Sequence, residues 1–419
     1  MNITDVGHLT NDSMEQGIGK LEAESQKTGM SPWDIADHFS EAFHQDRKAL
    51  GILDAESYPR ASDYIQHMQE MISQLIKDEY AYVSDGEVYF DVNKFPRFGC
   101  LSGNSLEDAM NHIRSSIKER SNKRDQRDFA LWKQEENHIM QWSSPWVPNS
   151  GDKGGFPGWH IECSAMARAH LGDTIDIHTG GEDNIFPHHE AEIMQSESYT
   201  GKQFVRMWMH ARHLFVNKQK MSKSSNNYFT VRDAIDGNNH PPTHPAALRL
   251  SLIENHYRQH MNYIPNKVSE RESFAKRIAE ATEISENMPH DDENLHDMEA
   301  EFRHHISDDL NMSAAFSVVS ELIKIRNRLS TSVTEKVKAR NSLISIDRVI
   351  GIASLWDKHF SRDQTGDERI EQLIKDRNDA RKNKDFAKAD MIRQSLSDEG
   401  IILTDLPDQT TWHRDSKRV

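Results

Sequence analysis

Cysteine is nearly missing from this chain: Cys100 and Cys163 are the two among 419 residues. Two thiols cannot build a disulfide scaffold, and they suit a reducing compartment. No apolar run of 18 or more residues occurs, so the sequence offers no membrane-spanning helix. The opening stretch, MNITDVGHLTND, is polar and lacks the basic-then-apolar pattern of a secretory leader, so a cytoplasmic protein is expected. Positive charge is also short. Lys and Arg number 51 against 67 Asp and Glu, a net charge of −16. This gives no overall basic field of the kind that draws nucleic acid, although net charge leaves local patches open. There is no internal repeat and no long low-complexity tract.

What is present suffices for several cores. With 36% hydrophobic residues over 419 positions, two to four domains are expected. Residues 31–50 and 61–77 read as helices; in the second, Ile65, Met68, Ile72, Leu75 and Ile76 recur at helical spacing. Ala81 to Phe90 reads as a β-hairpin turning at Asp85-Gly86 between alternating apolar residues. Residues 121–157, rich in Trp, Ser, Pro and Gly, read as irregular. A helix-like run follows from Ser164 to Leu171. Thr174 to His178 alternates like a short strand that Gly180-Gly181 ends, and Pro187 suits the first position of another helix. Strand, glycine turn and helix in that order match half of a parallel α/β nucleotide fold. Residues 267–355 are almost entirely helical in pattern, Ser361 to Asp367 is a polar linker, and the last 50 residues form a small module ending in a strand-like Ile401-Ile402-Leu403. In that module Lys375, Arg377, Arg381, Lys382, Lys384 and Lys388 outnumber Asp376, Asp379 and Asp385, which makes either a basic patch or a solvated helix face.

Two groups of residues carry chemistry. Cys163 supplies a thiolate, and His188 and Glu192 lie four apart on one helical face. Thiolate, imidazole and carboxylate together suit zinc. Spacing does not choose between His188 and His189, and a single cysteine is commonly just a small buried apolar residue. The second group is Lys220-Met221-Ser222-Lys223-Ser224. Lysines in such a loop act as mobile point charges that neutralise the charge developing on a transferring phosphoryl group.

Lys220 to Ser224 is similar to the KMSKS signature of class I aminoacyl-tRNA synthetases. Gly158-Trp159-His160-Ile161-Glu162-Cys163-Ser164-Ala165-Met166 and the segment from Phe186-Pro187-His188-His189-Glu190 to Glu192 resemble the zinc segments of the cysteinyl-tRNA synthetase family. Trp208-Met209-His210, Phe229 to Asp233, His256-Tyr257-Arg258, Asn262-Tyr263 and the tail from Asp379 through Asp390 to Thr411-Trp412 also match, in order. The resemblance runs from Asn2 to Arg414. It implies an α/β Rossmann-like class I catalytic domain, incomplete at its N-terminus, then an α-helical bundle and a small α+β anticodon-binding module. The implied divisions are 1–80 for the rest of the first half of the catalytic domain, 81–154 for an inserted connective region, and 155–215 for the second half with the zinc site. Residues 216–266 would form the KMSKS-bearing stem-contact region, 267–360 the bundle and 367–419 the anticodon module. The implied activity is ATP-dependent conversion of L-cysteine to cysteinyl-adenylate and transfer to tRNA(Cys), with Mg2+ beside ATP, by a cytoplasmic monomer with no membrane partner.

By the same resemblance one zinc ion (Zn2+) takes Cys163, His188 and Glu192 as three of four protein ligands. Thr4, Trp159 and His178 line the cysteine pocket. Gly180, Gly181 and Asp183 lie by the adenosine, and Lys223, with Lys220, meets the ATP phosphates. The family's first strand, its HIGH motif and the fourth ligand, a cysteine, are expected ahead of Asn2, a βα piece of at least about 30 residues. His8-Leu9-Thr10 is no substitute for that motif. Either a start site is misplaced or the chain is a catalytically inactive, tRNA-binding derivative. Thr179, Glu182, Ala191 and Phe156 also depart from the family pattern. A cysteine:amino-sugar ligase with the same zinc site is a further alternative, but such relatives lack the module at 367–419.

Overall fold

The computed structural model describes residues 1–6, 9–11, 16–105, 107, 122–135, 138–221, 227–237, 241–283, 293–356, 370, 372–378, 380–381, 385–398, 401–405 and 410–414. They fall into two units: Met1–Lys48, Ile52–His213 and Tyr257–His260 make the first, and Ala49–Gly51, Leu214–His256 and Met261–Val419 the second. Among the described residues no helix is long and apolar enough to cross a membrane.

In the first unit a short hairpin, β1 (Leu9–Asn11) with β2 (Gln16–Gly19), leads into α1 (Lys20–Thr28) and α2 (Pro32–Ala49). A single-turn 3-10 segment at Ala61–Tyr64 precedes α3 (Ile65–Lys77). The hairpin expected at Ala81 to Phe90 is present as β3 (Ala81–Ser84) and β4 (Glu87–Phe90). Asp85 at φ 52° and Gly86 at φ 84° both take the left-handed backbone that a two-residue turn needs to match strand twist. Two more strands, β5 (Phe129–Lys133) and β6 (Phe156–Pro157), complete an antiparallel sheet in the order β3-β4-β5-β6. The irregular reading of 121–157 is therefore corrected at both strands. Ala130 to Lys133 are buried without alternation, so a period-two pattern could not mark them.

α4 spans Trp159–Leu171, starting five residues earlier than the sequence pattern suggested. Gly158 permits this start: a Cβ there would lie 2.1 Å from the Ala130 carbonyl oxygen, so only glycine lets the chain pass β5 so closely. Then β7 (Ile175–Gly181) pairs in parallel with β8 (Val205–Ala211), with Ile175 opposite Val205 and Gly181 opposite Ala211. Gly180 and Gly181 thus end the strand from inside it. Between the two strands come a 3-10 turn at Glu182–Asn184, a π-type turn at Ile185–His189 and α5 (Glu190–Thr200). Pro187 lies in the π turn rather than opening the helix. Met68, Ile72 and Leu75 of α3 recur along one face and pack into one core with Leu131, Trp132, Ile161, Ala165, Met194, Ile175 and Phe204. Each large apolar side chain buried there contributes about 1.5–3 kcal/mol. That core fixes the sheet, α4 and the α5 end of the β7–β8 crossover against one another.

The second unit holds β9 (Leu214–Val216), β10 (Gln219–Lys220) and β11 (Met261–Tyr263) in a sheet ordered β10-β9-β11, with β11 parallel to β9. A capping box opens α6 (Val231–Asp236): Thr230 Oγ1 accepts from the Asp233 amide, and the Asp233 carboxylate accepts from the Thr230 amide and hydroxyl. After α7 (Pro245–Ile253) and the short α8 (Pro265–Val268), α9 (Glu272–Thr282), α10 (His296–Ser307), α11 (Met312–Asn327) and α12 (Val333–Ile350) share a core that includes Ile278, Phe302, Val319, Leu322, Leu343 and Ile346. Among the described residues of 267–355 the helical reading holds. In the tail, α13 (Phe386–Asp398) precedes antiparallel β12 (Ile401–Asp405) and β13 (Thr410–Arg414), over a small core of Ile370, Ile374, Leu396, Ile401 and Leu403. Ser361 to Asp367, Lys382 and Lys384 lie outside the described residues.

Candidate active site and metal centre

The site lies in the first unit, where α4 and the turn into α5 face each other. One donor atom from each of Cys163, His188 and Glu192 lies within 4.8 Å of the other two, and all three residues are buried. Glu192 Oε1 is 2.8 Å from His188 Nε2, and Oε2 is 2.8 Å from His178 Nε2. Yet neither Glu192 oxygen takes part in an in-line hydrogen bond. Nitrogen and oxygen atoms this close but misaligned are arranged as donors around a shared cation would be. Thiol, imidazole and carboxylate at these positions fit zinc.

The electrostatics of the site agree. Burial pushes the Cys163 thiol well above its ordinary value; the Glu192 and Glu162 carboxylates push the same way, and a hydrogen bond from Asn2 opposes them. Asn2 Nδ2 donates to Cys163 Sγ at 3.0 Å. Burial also works to raise Glu192, but the imidazoles of His178 and His188 outweigh it and hold the carboxyl well below the usual range. A cation would supply the positive charge that Cys163 needs to release its proton.

The two adjacent histidines take different partners. His188 faces Cys163 and Glu192, whereas His189 Nδ1 lies 2.8 Å from His210 Nε2. Burial pulls His189 down to about 3, so its ring is neutral at ordinary pH. A second triangle, His178, His189 and Glu192, also brings donors within 4.8 Å, and it shares Glu192 with the first. Gly180 is glycine for room: a Cβ would fall 2.6 Å from His189 Cε1 and 3.0 Å from Asn184 Nδ2.

Of the other residues singled out from sequence, Trp159 packs its ring on His188 with centroids 4.3 Å apart. His178 joins the cluster through Glu192. Gly181 and Asp183 stand together where β7 ends, since a Cβ on Gly181 would meet Asp183 Oδ1 at 2.4 Å. Thr4 lines a cavity of about 290 Å³ with Asn2, which reaches Cys163, and with Asp5, Leu21, Phe39 and Phe43. Lys220 is exposed on β10 of the second unit, and Lys223 lies outside the described residues. His8 does too.

Sequence reasoning missed four contributors. Asn2 reaches Cys163 across 161 positions, which no local pattern could signal. His160 Nδ1 lies 2.7 Å from His188 Nδ1; its position one turn before Cys163 on α4 was a usable hint. His210 orients His189. Fully buried Glu190 accepts from the backbone amides of Gly99 (2.9 Å), Leu101 (3.3 Å) and Ser102 (2.9 Å), tying the loop at 97–104 to the first turn of α5.

Residues 14–273 match the family described as "tRNA synthetases class I (C) catalytic domain". A cysteine–tRNA ligase of Salinibacter ruber is 35% identical over 450 residues, covering 99% of this chain and 86% of that protein. A cysteine–tRNA ligase of Geobacillus thermodenitrificans is 39% identical over 409 residues, covering 95% and 84%. Among solved structures, Mycobacterium tuberculosis methionyl-tRNA synthetase bound by methionyl-adenylate aligns at a TM-score of 0.49 and 14% identity, covering 84% of this chain and 82% of that one.

Proposed function

The chain belongs to the cysteine–tRNA ligase family of class I synthetases, and from that premise we propose that it selects its amino acid through zinc held by Cys163, His188 and Glu192. It is an aminoacyl-tRNA ligase that joins cysteine to tRNA with ATP. The observation that carries the zinc reading is the convergence of three buried donors of different chemistry, with both Glu192 oxygens 2.8 Å from imidazoles yet out of line.

Selection is the hard part of this reaction. Serine differs from cysteine by one atom, and a plain pocket separates such near isosteres by only about 10- to 200-fold. A bound zinc would take the substrate thiol as its thiolate, a bond that a serine hydroxyl matches poorly. The chain's own residues prepare that site. His178 Nε2 stands 2.8 Å from one oxygen of Glu192 and His188 Nε2 2.8 Å from the other, so both oxygens face imidazoles. Trp159 packs its ring against His188. Asn2 steadies the Cys163 sulfur.

Elsewhere, Gly180, Gly181 and Asp183 bind the adenosine of ATP in this reading, and Thr4 belongs to the cysteine pocket. Lys220 and Lys223 neutralise the phosphates, with Mg2+, as the cysteine carboxylate displaces pyrophosphate to give cysteinyl-adenylate. The partner is tRNA(Cys). The helical bundle at 267–360 and the region at 216–266 support its stem, the module at 367–419 reads its anticodon, and the enzyme works as a cytoplasmic monomer.

Cysteine-dependent ATP–pyrophosphate exchange tests the zinc reading. Chelator treatment is expected to abolish exchange and added zinc to restore it, with a preference over serine above the roughly 200-fold limit of a plain pocket. Undiminished exchange by the stripped chain would overturn it.

A further inference from the structure

We infer that His160 is a positioning residue for the metal centre: its Nδ1 accepts a hydrogen bond from His188 Nδ1–H and so keeps His188 Nε2 free as a metal donor. This rests on the zinc reading above and extends it to a residue outside the ligand set.

The ring nitrogens dictate the assignment. His188 Nε2 faces the metal donors, 2.8 Å from Glu192 Oε1. A nitrogen that gives its lone pair to a cation carries no proton, so the neutral His188 ring must hold its proton on Nδ1. That Nδ1 lies 2.7 Å from His160 Nδ1. Two imidazole nitrogens at that distance share one proton, so His160 must offer its Nδ1 lone pair. The tautomers of both rings follow from this one contact, as in the outer-shell partners of metal-binding histidines.

The fold holds His160 rigidly enough for the task. It sits in the first turn of α4, three residues before Cys163, so one helix face presents both the thiol donor and the acceptor for the imidazole donor. Its ring meets Phe129 of β5 edge-on, with centroids 5.8 Å apart at 79°. Phe129 in turn stacks on fully buried Phe90 at 5.1 Å. The orientation of His188 is thereby referred to the central sheet. The neighbouring His189 has its own partner in His210 and makes no claim on this position.

The test uses the whole chain with two substitutions. His160→Asn keeps an acceptor oxygen close to the Nδ1 position, and His160→Leu keeps apolar bulk without an acceptor. Zinc affinity is measured by competition with a chromophoric chelator, and cobalt(II) absorption reports thiolate ligation and coordination geometry. Expected are zinc binding about 10- to 100-fold weaker for His160→Leu, the scale for losing an outer-shell partner, and a cobalt spectrum altered in its ligand-field bands. His160→Asn is expected to bind within about fivefold of the unsubstituted chain, with the original spectrum, since its carbonyl replaces the lone pair. Zinc affinity for His160→Leu equal to the parent overturns the inference while leaving the zinc reading intact. So does a His160→Asn loss as large as that of His160→Leu, because packing alone would then explain His160. Should His160→Leu fail to fold, His160→Ala, which also lacks the acceptor, takes its place: zinc binding weakened relative to His160→Asn supports the inference, and parental affinity overturns it. No zinc uptake by the unsubstituted chain defeats both the inference and the reading beneath it.

Discussion

Replacing Glu190 by Gln should loosen the loop at 97–104 and, through it, the first turn of α5. The wild-type carboxylate places Oε1 2.9 Å from the Gly99 amide and 3.7 Å from the Cys100 sulfur, and Oε2 2.9 Å from the Ser102 amide and 3.3 Å from the Leu101 amide. Glutamine keeps one acceptor oxygen and turns the other into a donor. Whichever way the amide lies, one short backbone donor then faces N–H groups and the other loses its charged partner. A hydrogen bond to a charged group contributes about 1.5–3 kcal/mol, and a neutral one about 0.5–1.5. The expected loss is about 2–4 kcal/mol, which includes leaving one buried amide unsatisfied. Hydrogen exchange reads this directly: protection of the Gly99 and Ser102 amides should fall about 30- to 10³-fold, since 1.4 kcal/mol is a factor of ten. Protection unchanged in Glu190→Gln, with the fold intact, would refute the view that this carboxylate holds the loop.

Cys163→Ser should remove most bound zinc, whereas Cys100→Ser should leave it unchanged, because Cys100 is exposed and lies away from the donors; elemental analysis of the purified variants checks both. Lys223→Ala should slow adenylate formation about 10²-fold or more, the scale for one preorganised transition-state contact, while cysteine affinity barely moves; pre-steady-state kinetics with varied cysteine separates the two. Deleting residues 367–419 should leave cysteine activation intact and sharply lower charging of tRNA(Cys). Charging at the full rate would remove the anticodon role from that module.

The sequence was most legible where period and chemistry were local. The helical spacing of Met68, Ile72 and Leu75 and the Asp85-Gly86 turn appear in the fold as read; His188 and Glu192 do meet, but with His188 in the turn ahead of α5. It was silent where contacts join distant segments. Nothing near Asn2 announces a hydrogen bond to Cys163, and nothing in Phe129–Lys133 alternates, because both faces of that strand are largely covered. Nor does spacing tell that His188 shares a triangle with Cys163 and Glu192, while His189 lies against His210 and in a second triangle with His178 and Glu192. The net charge of −16 pointed away from nucleic acid, and the family shows how little net charge decides about a tRNA substrate.

The central claim is that zinc at Cys163, His188 and Glu192 grips the substrate through sulfur. X-ray absorption at the zinc edge, on the zinc-loaded chain with and without L-cysteine, tests it most directly. Cysteine should add about one sulfur neighbour at about 2.3 Å from zinc, and serine should leave the spectrum as it was. A sulfur count that cysteine does not change would contradict the account.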